Sequence, residues 1–151
     1  MGYKEIYNSW KNDPESFWMT AADAIDWVKK PSKALFSERA PLYEWFCDSE
    51  VNTCYNAVDR HVLNGKADQK AIIYDSPMTD TKYSITFSEL LEKVATLAGA
   101  LSSKGISKGD RVIIYMPMVP EGIIAMLAAQ ELEQYIPWYL GDLPLMNLPL
   151  E

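Results

Sequence analysis

His61 is the single histidine in a chain of 151 residues, and Asp59 is the acid closest to it upstream. A histidine base needs its orienting acid on the same face, but residues two apart on a helix point in different directions, and the pattern places no serine or cysteine nucleophile beside them. His61 is therefore read as a packed or surface residue. Gly105-Ile106-Ser107-Lys108-Gly109 is the nearest approach to a phosphate cradle. It matches neither G-x-x-x-x-G-K-[ST] nor G-x-G-x-x-G. A helix stop followed by a turn into a strand explains it, with Lys104 and Lys108 as solvated flanking charges. Cys47 and Cys54 fit no zinc spacing, and one histidine supplies too few partners. Both are expected to be free, mostly buried thiols in a reducing, intracellular compartment. Asp13, Glu15, Asp23 and Asp26 are explained by a helix N-terminus and its solvated face rather than by an acid pair. The pattern assigns no catalytic, cofactor-binding or metal-ligating residue.

Trp10, Trp18, Trp27 and Trp45 could stack on bases or sugars, but the charge balance opposes nucleic acid. There are 14 Lys+Arg against 21 Asp+Glu, a formal net charge of -7, and Lys29-Lys30 is the one adjacent lysine pair. A phosphate-binding surface needs clustered cations. The tryptophans are instead expected to be buried, packing a peripheral segment onto a domain.

The elements that would position these residues change character along the chain. Asp13-Pro14-Glu15 reads as an N-cap, a proline at the first helical position and an acidic first turn, and the apolar spacing predicts a helix from about Pro14 to Val28. Residues 31–49 lose their period yet are too aromatic for a solvated linker. Val51, Cys54, Val58, His61 and Val62 share one helical face, with Asn64-Gly65 as a left-handed stop. From Ala71 the pattern becomes α/β. A strand over 71–75, a turn over 76–81 and a strand alternating through Tyr83, Ile85 and Phe87 precede a capping box at Thr86 and Glu89. The helix that follows shows Leu90, Val94, Leu97, Ala98 and Leu101 on one face and stops at Gly105. A strand over 111–116, apolar enough to be central in a sheet, leads to a helix opened by Pro120. Residues 112–129 approach the length of a membrane span, but Pro117 and Pro120 break the run into strand, turn and helix. No membrane partner is expected. The first fifteen residues show neither a secretory signal nor a transit peptide.

Several blocks together resemble a known family. Tyr7 and Ser9, 13–18 (Asp-Pro-Glu-Ser-Phe-Trp), Ile25-Asp26-Trp27, Trp45-Phe46, Asn52 and 56–61 (Asn-Ala-Val-Asp-Arg-His) resemble the N-terminal segment of AMP-forming short-chain acyl-CoA synthetases. Residues 73–76, Thr86-Phe87, Leu90, Gly105-Ile106, 108–112 and 114–118 resemble the start of their large adenylate-forming domain. Trp45-Phe46-Cys47 and Tyr115-Met116-Pro117-Met118 lean toward propionate-CoA ligases rather than acetate-CoA ligases. The resemblance implies a two-step ligase reaction. A short carboxylate attacks the α-phosphate of ATP to give an acyl-adenylate and pyrophosphate, with magnesium balancing charge, and coenzyme A then displaces AMP.

The family's Ser/Thr/Gly-rich phosphate loop, its aromatic-Thr-Glu segment, its ribose-binding aspartate, its coenzyme A contacts and its C-terminal lysine have no counterpart here. No site residue is carried over, and no cofactor is expected within this chain. Past Ala129 the similarity stops. The expected layout is an N-terminal segment at 1–56, a truncated start of the AMP-binding domain at 57–129 and a divergent tail at 130–151, helical to about Gln134 and irregular beyond. The expected fold is α/β, an N-terminal helical segment followed by an incomplete mixed sheet flanked by helices. An N-terminal fragment, inactive alone, is the expected function, and a non-catalytic module binding a full-length synthetase is the alternative. The compartment is read as cytoplasmic, with the mitochondrial matrix open for eukaryotic members.

Overall fold

The computed structural model of the chain describes residues 2–132 and the backbone of Trp138–Leu140. Two compact units, Met1–Asn52 and Thr53–Glu151, divide it.

In the first unit, helices α1 (Tyr3–Asn12) and α2 (Pro14–Ala22) meet at Asp13. The Asp13 N–H donates to the Ser9 carbonyl at 3.1 Å, ending α1, and its carboxylate accepts from the Ser16 N–H at 3.0 Å, opening α2. Helix α1 was not anticipated. None of its residues is buried, and its apolar side is a ladder of rings, Tyr3 on Tyr7 and Tyr7 on Trp10. Helix α2 stops at Ala22 rather than at Val28. The Trp27 indole N–H donates to the Ala22 carbonyl at 2.8 Å, and the N–H groups of Val28 and Lys29 turn instead to the Glu50 carbonyl. Tertiary partners thus override the helical spacing of Ile25 and Val28.

The aperiodic stretch 31–49 contains a short antiparallel pair, β1 (Leu35–Phe36) and β2 (Glu44–Trp45), with Leu35 opposite Trp45. Side chains pin its backbone. The Ala34 N–H donates to Glu15 at 2.6 Å and the Ser32 N–H to Asp48 at 3.0 Å.

In the second unit the expected helix over 51–62 is broken. Helices α3 (Thr53–Ala57) and α4 (Asp59–His61) are separated at Val58 by a non-helical φ of -126° and ψ of -69°. A wide π turn over Val62–Lys66 follows, and Gly65, at φ +77°, supplies the expected left-handed stop. Cys54 and Val58, four residues apart and expected on one face, are both buried despite the break.

Strands β3 (Lys70–Ser76) and β4 (Thr81–Thr86) form an antiparallel hairpin with Tyr74 opposite Tyr83. Helix α5 (Phe87–Ser103) begins at the anticipated capping box. The Thr86 hydroxyl accepts the Glu89 N–H at 3.2 Å, and the Glu89 carboxylate accepts the Thr86 N–H at 2.8 Å. Helix α6 (Pro120–Glu131) packs against α5, and the core gathers Cys54, Val58, Ile85, Leu90, Val94, Ala98, Ile124, Leu127 and Ala128. Burying a side chain such as Leu90 stabilises by about 1.5–3 kcal/mol.

The molecule is a mixed α/β fold with N-terminal helices and small antiparallel sheets, but the anticipated strand over 111–116 is not central. Regular pairing begins at Ile114, giving β5 (Ile114–Met116), while Ile113 and Tyr115 are exposed. Among the described residues, its sheet has two strands. The partner is β6 (Trp138–Leu140), parallel, with Ile114 opposite Trp138. This corrects the expectation of an irregular tail, because residues 138–140 form a strand that makes β5-α6-β6 a parallel crossover. The remaining tail, 133–137 and 141–151, lies outside the described residues. Residues 112–129 form strand, turn and helix as anticipated, and no described helix is long and apolar enough to cross a membrane.

Candidate functional site

The glycine turn at 105–109 does not fit a triphosphate. Gly105 and Gly109 adopt φ of +89° and +94°, as a helix stop and a strand-side turn require. Their conformations leave few donors for an anion. The Gly105 N–H is taken by the Ser102 carbonyl, the Ile106 N–H by Leu101, and the Asp110 N–H by Ser107. The Ser107 N–H donates at 2.8 Å to the Asp110 carboxylate, which places a negative charge where a cradle would need to receive one.

His61 ends α4, half-buried, with its ring centroid 4.8 Å from that of Phe87. It is a packed residue, and Asp59 lies on the same three-residue helix without being brought to it by any ion pair among those described. The tryptophans differ from expectation. Instead of being buried, Trp18 and Trp45 meet edge to face at 5.6 Å, Trp45 and Trp27 each contact Phe46, and Trp10, Trp18 and Trp45 remain partly exposed. Three of the four acids have separate structural partners. Asp13 caps α2, Glu15 holds Ala34, and Asp23 faces Lys30 at 4.0 Å on the exposed surface.

Both cysteines are free, but they occupy opposite environments. Cys47 is exposed, contrary to expectation, whereas Cys54 is 1% exposed. Around the Cys54 sulfur the fold gathers two carboxylates, Asp59 from the first turn of α4 and Glu131 from the last residue of α6. One donor atom from each of the three lies within 4.8 Å of the other two. Burial, and then the neighbouring Glu131 carboxylate, push the Cys54 thiol up to about 12, so it is protonated at neutral pH and accepts no role as a nucleophile. The Cys54–Asp59 spacing alone carries no signal for this cluster. Glu131 reaches it only through the packing of α6 on α3, which spacing along the chain does not disclose.

Comparison with known proteins places the chain in context. The family model described as "Acetyl-coenzyme A synthetase N-terminus" matches residues 3–57, and the one described as "AMP-binding enzyme" matches residues 59–135, six residues beyond Ala129. Acyl-CoA synthetase short-chain family member 3, mitochondrial, of Bos taurus and of Homo sapiens are each 51% identical to this chain over 126 residues. Acetyl-coenzyme A synthetase of Paraburkholderia phymatum is 42% identical over 127 residues. Each alignment takes in 83% of this chain, but 18% of the two mammalian relatives and 19% of the bacterial one. The chain thus spans about a fifth of the length of the curated relatives it matches.

Proposed function

The chain belongs to the AMP-binding enzyme family, and from that premise we propose that it is the N-terminal portion of a short-chain acyl-CoA synthetase. The observation that carries the reading is the tandem order of the two matches, N-terminal segment first and AMP-binding segment directly after it. The parent reaction is the joining of acetate or propionate to coenzyme A at the expense of ATP, with AMP and pyrophosphate released. The wording of 45–47 and 115–118 leans toward propionate over acetate. This portion does not activate a carboxylate alone. The anion-receiving groups of the reaction have no counterpart in 1–151, and the Gly105–Gly109 turn is already filled by its own carboxylate. The N-terminal segment is assigned to 1–56, the start of the AMP-binding domain to 57–129 and a divergent tail to 130–151. The cytoplasm is the proposed compartment, with the mitochondrial matrix as the alternative for a eukaryotic member, the mammalian relatives being named mitochondrial.

The test is pyrophosphate release. Purified chain given ATP, magnesium, coenzyme A and either propionate or acetate is expected to release none above a protein-free control, and turnover overturns the reading. A second reading, an interaction module that binds a full-length synthetase, is favoured by the exposed apolar residues Ile113, Tyr115 and Met118 around β5. Co-purification of tagged chain with a full-length synthetase supports it.

A further inference from the structure

Lys29-Lys30 is the one adjacent lysine pair of an acidic chain, and the ligase reading gives it no task. Just beyond it stands Ser32, the one serine or threonine in the sequence with lysines at both the second and the third position before it. Ser32 is exposed, in irregular backbone between Pro31 and Lys33. The Lys30 side chain is 80% exposed, and its contact with Asp23 spans 4.0 Å, so it is available to a partner.

The same serine is latched to an acid. Its N–H donates to Asp48 Oδ2 at 3.0 Å. Asp48 Oδ1 is buried and, among the described residues, has no hydrogen-bond partner, so the carboxylate has no other donor to turn to. Hydrogen bonding from Ser32, by side chain first and then by backbone, holds the Asp48 carboxyl below the ordinary carboxylate range, and it is an anion at neutral pH. Next to this outer latch lies an inner one. Ala34, fully buried, donates its N–H to Glu15 at 2.6 Å and accepts the Phe46 N–H at 2.9 Å.

We propose that Ser32 is a phosphorylation site for a serine kinase that reads basic residues ahead of its acceptor, and that the phosphate unlatches Ser32 from Asp48. Cations two and three residues before the hydroxyl complement an acidic substrate groove. In the transfer the Ser32 hydroxyl oxygen attacks the γ-phosphorus of kinase-bound ATP, the bond to the bridging oxygen breaks, ADP leaves, and the hydroxyl proton passes through the kinase's base to solvent. The product carries a charge of about -1.5 to -2 at neutral pH. That charge stands against a carboxylate with nowhere to turn, while Lys29, Lys30 and Lys33 lie in the same stretch to receive it. The Ser32–Asp48 hydrogen bond is exchanged for lysine–phosphate pairs, and Ala34 stays held by Glu15 and Phe46. The site is independent of the ligase reading, which assigns no role to these residues.

The full chain is incubated with magnesium-ATP and the catalytic subunit of a cyclic-AMP-dependent protein kinase, and the phosphate is located by fragmentation mass spectrometry. A single phosphate at Ser32 is expected. Lys30→Glu, a change at an exposed side chain, should slow its incorporation at least about tenfold. In the phosphorylated chain the Ser32 amide should exchange its hydrogen at least about tenfold faster, once corrected for its intrinsic rate, because a bond to a charged acceptor is lost. The Ala34 amide should keep its rate, which separates unlatching from unfolding. Chain that retains its far-ultraviolet circular dichroism yet takes no phosphate overturns the site. So does phosphate confined to Thr96 or Ser107, each with a single lysine three residues before it, or a rate unchanged in Lys30→Glu. Phosphate at Ser32 with an unchanged Ser32 amide overturns the unlatching.

Discussion

Two thiols in one chain offer a direct contrast between environments. Cys47 is exposed, whereas Cys54 is buried with its ionisation pushed up to about 12. An aromatic disulfide reagent at neutral pH is therefore expected to titrate one thiol per folded chain rapidly and the second only in denaturant. Cys47→Ser should remove the fast phase, and two equally fast thiols would contradict the burial. Glu89 gives a second residue-scale test. Hydrogen bonds from the Thr86 N–H and hydroxyl hold its carboxyl below the ordinary carboxylate range. A carboxylate with a lowered folded value contributes stability above its unfolded pKa, near 4.3, and loses it as pH falls through the folded value. The stability difference between wild type and Glu89→Gln in urea should accordingly shrink as pH drops from 5 toward 3 (about the range set by that unfolded value). Thr86→Ala should cost about 1 kcal/mol at neutral pH. This capping box was legible in the sequence because both partners lie within one turn. The Cys54 cluster was not, because its third member arrives from the far end of another helix.

Elements with local signals were read well. Helix α5, its cap and its buried stripe of Leu90, Val94 and Ala98 follow from spacing alone, as do the Gly65 and Gly105 stops. Failures fell where a distant partner decided the outcome. Trp27 and Glu50 cut α2 short, and a break at Val58 divided the helix expected over 51–62. Helix α1 also carries a local signal, since Tyr3, Ile6, Tyr7 and Trp10 recur at helical spacing, although the side they form is exposed rather than packed in the core. Leu90, 4% exposed within the α5–α6 core, is the element-scale test. Leu90→Ala should destabilise the chain by about 2–5 kcal/mol, against less than about 0.5 kcal/mol for the exposed Leu63→Ala. Equal urea midpoints for the two variants would show that α5 and α6 do not share a core.

At the scale of the whole molecule, the AMP-binding match covers just over half of the chain, and among the described residues the incomplete mixed sheet expected from the sequence takes the form of separate two-stranded sheets. An apolar surface around β5 results, with Ile113 66% exposed and Met118 72%. Apolar strand surface of this kind favours self-association. Ile113→Lys is expected to lower concentration-dependent light scattering while leaving the urea midpoint within about 0.5 kcal/mol of wild type. Unchanged scattering would place the association elsewhere.

The two ladders of the second unit also set a sequence of events in time. Tyr74 finds Tyr83 across a tight reversal, whereas Ile114 can meet Trp138 only after a whole helix has been laid between them. Closing the longer loop costs more entropy before any contact repays it. During refolding from denaturant, the hairpin should gain amide protection early and the Ile114–Trp138 ladder last, making the parallel ladder the kinetic bottleneck of the chain.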